Sequence, residues 1–317
     1  MKEKKTVLSV EHLSVSFTQY ERWIQRTTLM AVKDVSLTVR EGELVAVVGS
    51  SGSGKSLLAH GVMGILPYNA AWTGDIFYYG EKLTEKRMEK LRGKEIVLVP
   101  QSVSYLDPLM KAGPQIRKGK KDEESREKSL KTLKRYGLDE SVERLYPYEL
   151  SGGMTRRILI STAVMEKPRL VIADEPTPGL HAEAAKRVLS HFREMADEGA
   201  GVLLITHDLE LALEIADRIV VFYAGTGVEE AAASDFREEK RLRHPYSKAL
   251  YRAMPDHGFW SAPGTQPYLK DRPPGCPYSP RCEHREARCS GEVEYVGLRG
   301  GMVRCIKAKE GSGEIGS

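Results

Sequence analysis

The run Gly49-Ser50-Ser51-Gly52-Ser53-Gly54-Lys55-Ser56 fits the spacing G-x-x-x-x-G-K-[ST] in full. Glycines at that spacing let backbone N–H groups converge on phosphate oxygens, the lysine reaches the β and γ groups, and the last hydroxyl can ligate Mg²⁺. Further along, Leu150-Ser151-Gly152-Gly153-Met154 places a Ser-Gly-Gly turn at a helix start, which offers a separate phosphate-binding surface. The apolar run 170–173 then ends in Asp174 and Glu175. A carboxylate at a strand end can hold Mg²⁺ through water, and one beyond it can orient or deprotonate an attacking water. One chain thus carries two half-sites for a nucleoside triphosphate.

These residues need a scaffold, and the hydrophobic pattern supplies one. Residues 7–18 and 31–39 alternate with β-branched side chains and predict strands in an antiparallel start. Residues 44–48 (Leu-Val-Ala-Val-Val) form a continuous apolar run feeding Gly49, as a buried parallel strand would, and a helix is predicted from about Lys55. Another strand, 96–99, is stopped by Pro100 and followed by Gln101. Strand patterns return at 170–173, 202–206 and 219–223, separated by stretches long enough for βαβ crossovers. Between them, about 102–165, charged helical stretches such as 123–136 predict a helical insertion. The expectation is an α/β fold with a mostly parallel sheet, an antiparallel N-terminal β part and a helical subdomain. The nucleotide-binding domain is assigned to 1–230, and 231–317 to a small cysteine-containing C-terminal extension.

Composition narrows the classes. The 317 residues exceed a typical single domain, and a net charge of +4 with 29% charged residues gives no field that argues for nucleic acid. The cluster Arg117-Lys118-Gly119-Lys120-Lys121 reads as a solvated loop because acidic residues follow it. No apolar run approaches the roughly 20 residues of a membrane-spanning helix, and the first residues lead into alternation rather than a signal-peptide core. The chain is expected to be cytosolic and unable to form a pore by itself. Its four cysteines, Cys276, Cys282, Cys289 and Cys305, all lie in the last segment, where a reducing compartment favours metal ligation over disulfides. Spacing alone leaves an iron–sulfur cluster, zinc and free thiols open; four thiolates suffice for [4Fe–4S], and the paired C-x-x-C knuckles of structural zinc are missing.

In order, the phosphate loop, Gln101, the Ser-Gly-Gly turn, Asp174-Glu175 and His207 after strand 202–206 resemble the five motifs of ABC transporter nucleotide-binding subunits. The likeness covers nearly everything before the extension. It implies a P-loop NTPase fold, ATP and Mg²⁺ as cofactors, and Mg²⁺ held through Ser56, Gln101 and Asp174. It also implies that Gln101 senses the metal and the attacking water and couples to membrane subunits, that His207 contacts the γ-phosphate, and that Phe17 stacks on adenine, with Tyr20 as substitute. Ser151, Gly152 and Gly153 would close over nucleotide held by a partner cassette, so dimerisation completes the site. Two positions depart from the pattern: Thr155 stands where Gln is usual, and His181 ends Pro178-Gly179-Leu180-His181 where Asp is usual. His181 is expected to weaken or retune one of two composite sites while Glu175 keeps the other side competent.

The segment His244-Pro245-Tyr246-Ser247-Lys248-Ala249-Leu250, followed by Pro255, resembles the C-terminal extension of oligopeptide, dipeptide and nickel importer ATPases. Gly275-Cys276-Pro277-Tyr278-Ser279-Pro280-Arg281-Cys282 is similar to the cysteine-rich tail of that subgroup, which the resemblance links to an iron–sulfur cluster. A [4Fe–4S] cluster on Cys276, Cys282, Cys289 and Cys305 is therefore the first choice, zinc the alternative, and His284 a possible extra ligand. The implied function is ATP hydrolysis that powers peptide import, with nickel or a metal chelate as alternative cargo. The implied partners are a second ABC ATPase, two transmembrane permease subunits and an extracytoplasmic substrate-binding protein, at the inner face of the cell membrane. A non-transport ABC ATPase of DNA repair or the ribosome would show a long coiled-coil insertion or two cassettes, and neither is present. A redox sensor with secondary ATPase activity is the third reading.

Overall fold

The computed structural model describes residues 4–21, 25–260 and 262–309. Strands β1 (Thr6–Glu21) and β2 (Gln25–Arg40) pair antiparallel, their alternation turning Val10, Val15, Val35 and Leu37 inward. The chain then crosses the molecule as β3 (Leu44–Val48), buried at every position, and leaves the phosphate loop as helix α1 (Lys55–Met63). Strands β4 (Ala70–Tyr78) and β5 (Glu81–Lys82) complete a four-stranded antiparallel sheet in the order β2-β1-β4-β5. Gly74 in β4 is obligatory: its φ is 102°, and a Cβ there would lie 2.6 Å from the carbonyls of Glu11 and His12 on β1.

After α2 (Glu85–Leu91) and β6 (Ile96–Val99) comes a helical lobe of α3 (Ala112–Ile116), α4 (Glu123–Arg135) and α5 (Gly152–Val164). The lobe has its own core of Leu106, Ile116, Leu133, Val142, Ile158 and Leu159. The basic cluster at 117–121 is not merely solvated: Arg117 pairs with Glu143 at 3.2 Å and Lys120 with Glu166 at 2.8 Å, which pins that turn to the lobe. The chain continues through β7 (Leu170–Asp174), α6 (Ala182–Asp197), β8 (Gly201–Thr206), α7 (Leu209–Ile215), β9 (Arg218–Tyr223) and β10 (Thr226–Ala232). It closes with α8 (Pro245–Arg252) and a hairpin of β11 (Val296–Leu298) and β12 (Gly301–Val303). Among the described residues no helix is long and apolar enough to cross a membrane.

The central sheet runs β11-β12-β10-β9-β3-β8-β7-β6. The five strands from β9 to β6 are parallel, and β10, β12 and β11 add on antiparallel. Alternation along β3 divides the packing on the central sheet into two cores: Val45 and Val47 face α1 and the N-terminal sheet, whereas Leu44, Ala46 and Val48 face α6, α7 and α8. Residue 230 falls inside β10, and the extension adds β11 and β12 beside it. Tyr246, Ala249, Tyr278 and Val293 of the extension share the core of the sheet. A buried ion-pair network locks this junction. Arg243, on the loop before α8, bonds Glu229 at 3.2 Å and Asp235 at 2.9 Å, and Glu229 also accepts from the backbone N–H groups of Arg243 and His244.

Candidate nucleotide-binding site

Parallel strands deliver their C-terminal ends to one edge, and β3, β6, β7 and β8 bring the phosphate loop, Gln101, Asp174-Glu175 and His207 to that edge. Gly49 turns so close to β9 that a Cβ would lie 2.1 Å from the Phe222 carbonyl oxygen. Gly52 and Gly54 take φ of 73° and 96°, which L side chains rarely adopt, so Ser51 and Ser53 are carried on a loop whose backbone faces the α1 N-terminus. Lys55 is buried and curls back, its ammonium donating to the carbonyls of Gly49 at 2.7 Å and Ser50 at 2.9 Å. Burial holds its pKa below the usual lysine range, opposed by Glu175 and Asp174. The lysine thus closes over the loop whose amides would cradle the β and γ phosphates.

The Ser56 hydroxyl donates to Asp174 Oδ1 at 3.0 Å. That contact puts the two groups suited to a shared Mg²⁺, one directly and one through water, within reach of one ion. Asp174 is buried, and burial raises its pKa against the opposing Ser56 hydrogen bond; a divalent cation would reverse that balance and keep it ionised. Glu175 follows in the left-handed region, with φ of 47°, and its N–H donates to the Ile205 carbonyl on β8 at 2.9 Å. The kink aims its carboxylate between Lys55 Nζ at 4.0 Å and His207 Nδ1 at 2.8 Å. His207 is more than half exposed, so it can meet a ligand that Glu175, nearly buried, reaches only from within. The structure therefore joins Lys55, Ser56, Asp174, Glu175 and His207 into one contact group.

Gln101 lies exposed just past β6, whose register pairs Val99 with Ala173 of β7. Phe17 is half-buried on β1 and packs against the N-terminal core; the side chain of Tyr20 lies outside the described residues. Ser151 caps α5, its Oγ accepting from Met154 N–H at 3.4 Å, and Thr155 bonds back to the Ser151 carbonyl at 2.9 Å. Gly152 has open space where a Cβ would stand, and Gly153 meets only Leu180 at 3.6 Å. This helix N-terminus presents bare amides at the surface of the helical lobe. His181 is the N-cap of α6: its Nδ1 accepts from Ala184 N–H at 3.3 Å, the task an aspartate would perform.

Sequence reading missed Arg156. Its guanidinium is buried and donates to the Pro100 carbonyl at 3.0 Å, with Asp174 the charge that opposes its desolvation. It ties the helix opened by Ser151 to the residue before Gln101, and no local periodicity marks such a contact.

In the extension, Cys276, Cys282, Cys289 and Cys305 line one small cavity together with His244 and His284. Burial raises the Cys276 thiol to about 12, with the other three sulfurs adding to the shift, and it raises Cys282 and Cys305 as well. Four thiols facing one space, with burial disfavouring the thiolates of Cys276, Cys282 and Cys305, form a donor set that a cationic centre would relieve. Among the described residues, no three His, Cys, Asp or Glu groups stand close enough to hold a single metal ion.

The architecture matches solved ATP-binding cassettes. A dimeric cassette bound to ADP and Pi superposes with a TM-score of 0.63 at 26% identity, covering 71% of this chain and 98% of that one. The ATP-binding subunit of an ABC transporter gives 0.60 at 28% identity, covering 73% and 92%. The fold is that of a P-loop ATPase cassette. The ABC transporter family model matches residues 32–178, and the oligopeptide/dipeptide transporter C-terminal region matches 228–289. The dipeptide transport ATP-binding protein DppD of Bacillus subtilis is 37% identical over 303 residues, 89% of this chain and 88% of that protein. DppD of Escherichia coli is 34% identical over 311 residues, 92% and 93%. The chain belongs to the ABC transporter family, as one of its ATPases.

Proposed function

We propose that this protein is the ATP-hydrolysing subunit of a peptide importer, bound at the inner face of the cell membrane to two separate permease subunits served by an extracytoplasmic binding protein. The observation that carries this reading is the pairing of the Lys55–Glu175–His207 contact group with an extension of the oligopeptide/dipeptide type. In it, Lys55 turns to the phosphates, Ser56, Asp174 and Gln101 would hold Mg²⁺, which would neutralise phosphate charge when bound, and Glu175 orients the attacking water. His207 contacts the γ-phosphate, and Ser151, Gly152 and Gly153 close on nucleotide held by a second cassette, identical or related. The named relatives are dipeptide transport proteins, which favours peptide over nickel or a metal chelate as cargo. The extension also separates this reading from a DNA-repair or ribosome-associated ATPase. Membrane vesicles carrying the whole complex test it: ATP-driven uptake of labelled dipeptide that Glu175→Gln abolishes is expected, and uptake of Ni²⁺ in its place overturns the cargo.

We propose a [4Fe–4S] cluster held by Cys276, Cys282, Cys289 and Cys305, which line one cavity, with zinc as the less favoured alternative because no three such groups among the described residues stand close enough for a single ion. A bound cluster would supply thiolate cross-linking of the tail and a redox-active centre. Anaerobically purified protein should contain iron and acid-labile sulfide in matching amounts, both lost in Cys282→Ser; zinc without iron overturns the cluster.

A further inference from the structure

The C-terminal extension reaches the phosphate loop itself. The chain after α8 returns across the sheet edge, where Arg272 donates to the Ala224 carbonyl at 3.0 Å and Lys33 to the Pro274 carbonyl at 3.3 Å. Between α8 and those anchors, the half-buried side chain of Gln266 accepts a hydrogen bond from the Ser50 hydroxyl. Tyr246, in the first turn of α8, lies buried in the same extension. Tyr246 in turn packs at 4.4 Å from Tyr223 and 5.3 Å from Tyr278, two residues beyond Cys276.

Ser50 is therefore a two-sided residue. Its carbonyl holds the Lys55 ammonium, and its hydroxyl is held by the extension. The Gly225 N–H holds the Ser53 carbonyl at 2.7 Å, but when Lys55 turns to incoming phosphates its hold on the Ser50 carbonyl weakens, and the flexible glycines at 49 and 52 do not replace it. We propose that Gln266 is a positioning residue of the ATP site, bracing Ser50 from behind so that the phosphate loop is preorganised by the extension rather than by the nucleotide-binding domain alone.

The inference rests on reading residues 49–56 as the phosphate cradle, and the experiment separates the two. The full-length chain is titrated with a fluorescent ATP analogue, and amide hydrogen exchange is followed over residues 49–56. A brace made of one neutral hydrogen bond predicts that Gln266→Ala raises the Kd for nucleotide about three- to tenfold and speeds exchange in that loop. Gln266→Glu keeps an acceptor but adds a negative charge near the phosphates, so it should preserve the parent's slow exchange over residues 49–56 in the absence of nucleotide. Ser50→Ala should match Gln266→Ala, and the double variant should add nothing, because both remove one interaction. In the assembled complex Gln266→Ala should raise KM for ATP while leaving kcat unchanged. Unchanged affinity and exchange in Gln266→Ala, or effects of Ser50→Ala and Gln266→Ala that multiply, would overturn the brace. Lys55→Ala is the separate control: nucleotide binding unaffected there sinks the cradle reading itself, whatever Gln266 does.

Discussion

Replacing Arg243 with methionine removes a guanidinium that makes four bonds in a fully buried setting: to Glu229 at 3.2 Å, Asp235 at 2.9 Å, and the carbonyls of Leu298 and Arg299 at 2.6 and 2.5 Å. Asp235 keeps Arg241 at 3.1 Å, and Glu229 keeps two backbone donors, so the main loss is the counter-charge of a carboxylate with no solvent access. Breaking one side of a buried pair costs roughly 3–5 kcal/mol, and the orphaned carbonyls at the β11–β12 turn push toward the upper end. At about 4 kcal/mol the folded-to-unfolded ratio falls roughly a thousandfold, a large part of a domain's stability. Burial already raises the Glu229 pKa, so the variant can shed some of the cost by protonating Glu229. The penalty should therefore be smaller at pH 6 than at pH 8. Urea unfolding followed by circular dichroism measures it, with hydrogen exchange reporting early opening of β10 to β12. Arg243→Met combined with Glu229→Gln should recover part of the loss. A single-variant cost below about 1 kcal/mol, or a double variant as poor as the sum of the singles, would refute the reasoning.

Glu175→Gln should lower ATP turnover by about 10²–10⁴ if its carboxylate serves the attacking water, while nucleotide affinity is retained; turnover within tenfold of the parent refutes the role. Gly153→Asp should fold as well as the parent, since a Cβ meets nothing nearer than 3.6 Å and an acid suits a helix first turn, yet lose ATPase in the complex through repulsion of phosphate. An equal fall in melting temperature would show damage to the lobe instead. Glu143 has its pKa moved by burial upward and by Arg126 and Arg117 downward, the arginines prevailing. A lowered folded-state pKa gives stability present above the unfolded value and lost as pH falls through the folded one, so Glu143→Gln should be destabilising at pH 7 and progressively less so below about pH 4. A gap that widens in acid contradicts this.

The parallel core was legible because its strands are continuous apolar runs: 44–48 and 96–99 match β3 and β6 residue for residue, and 170–173, 202–206 and 219–223 each lie one residue short of the observed strand. Motifs set at strand ends then had to share an edge, which is why Asp174, Glu175 and His207 come together although the sequence separates them. What stayed hidden was structure without a local period. β4 carries Thr73, Gly74 and Asp75 in its middle, and β11 and β12 have only three residues each, too few for alternation to register. Arg156 on Pro100 and Gln266 on Ser50 are contacts across 56 and 216 residues, set by how elements pack rather than by any motif.

Glu175 sits at a φ of 47°, where a side chain with a Cβ is strained by roughly 1–2 kcal/mol and glycine is not. Glycine there would relax the turn after β7 and relieve the burial of a carboxylate. The fold would gain in melting temperature at the one position whose carboxylate faces both Lys55 and His207. Thermostability screening and turnover screening of the same library should accordingly pull residue 175 in opposite directions, so a variant chosen for heat tolerance alone is at risk of being a silent ATPase.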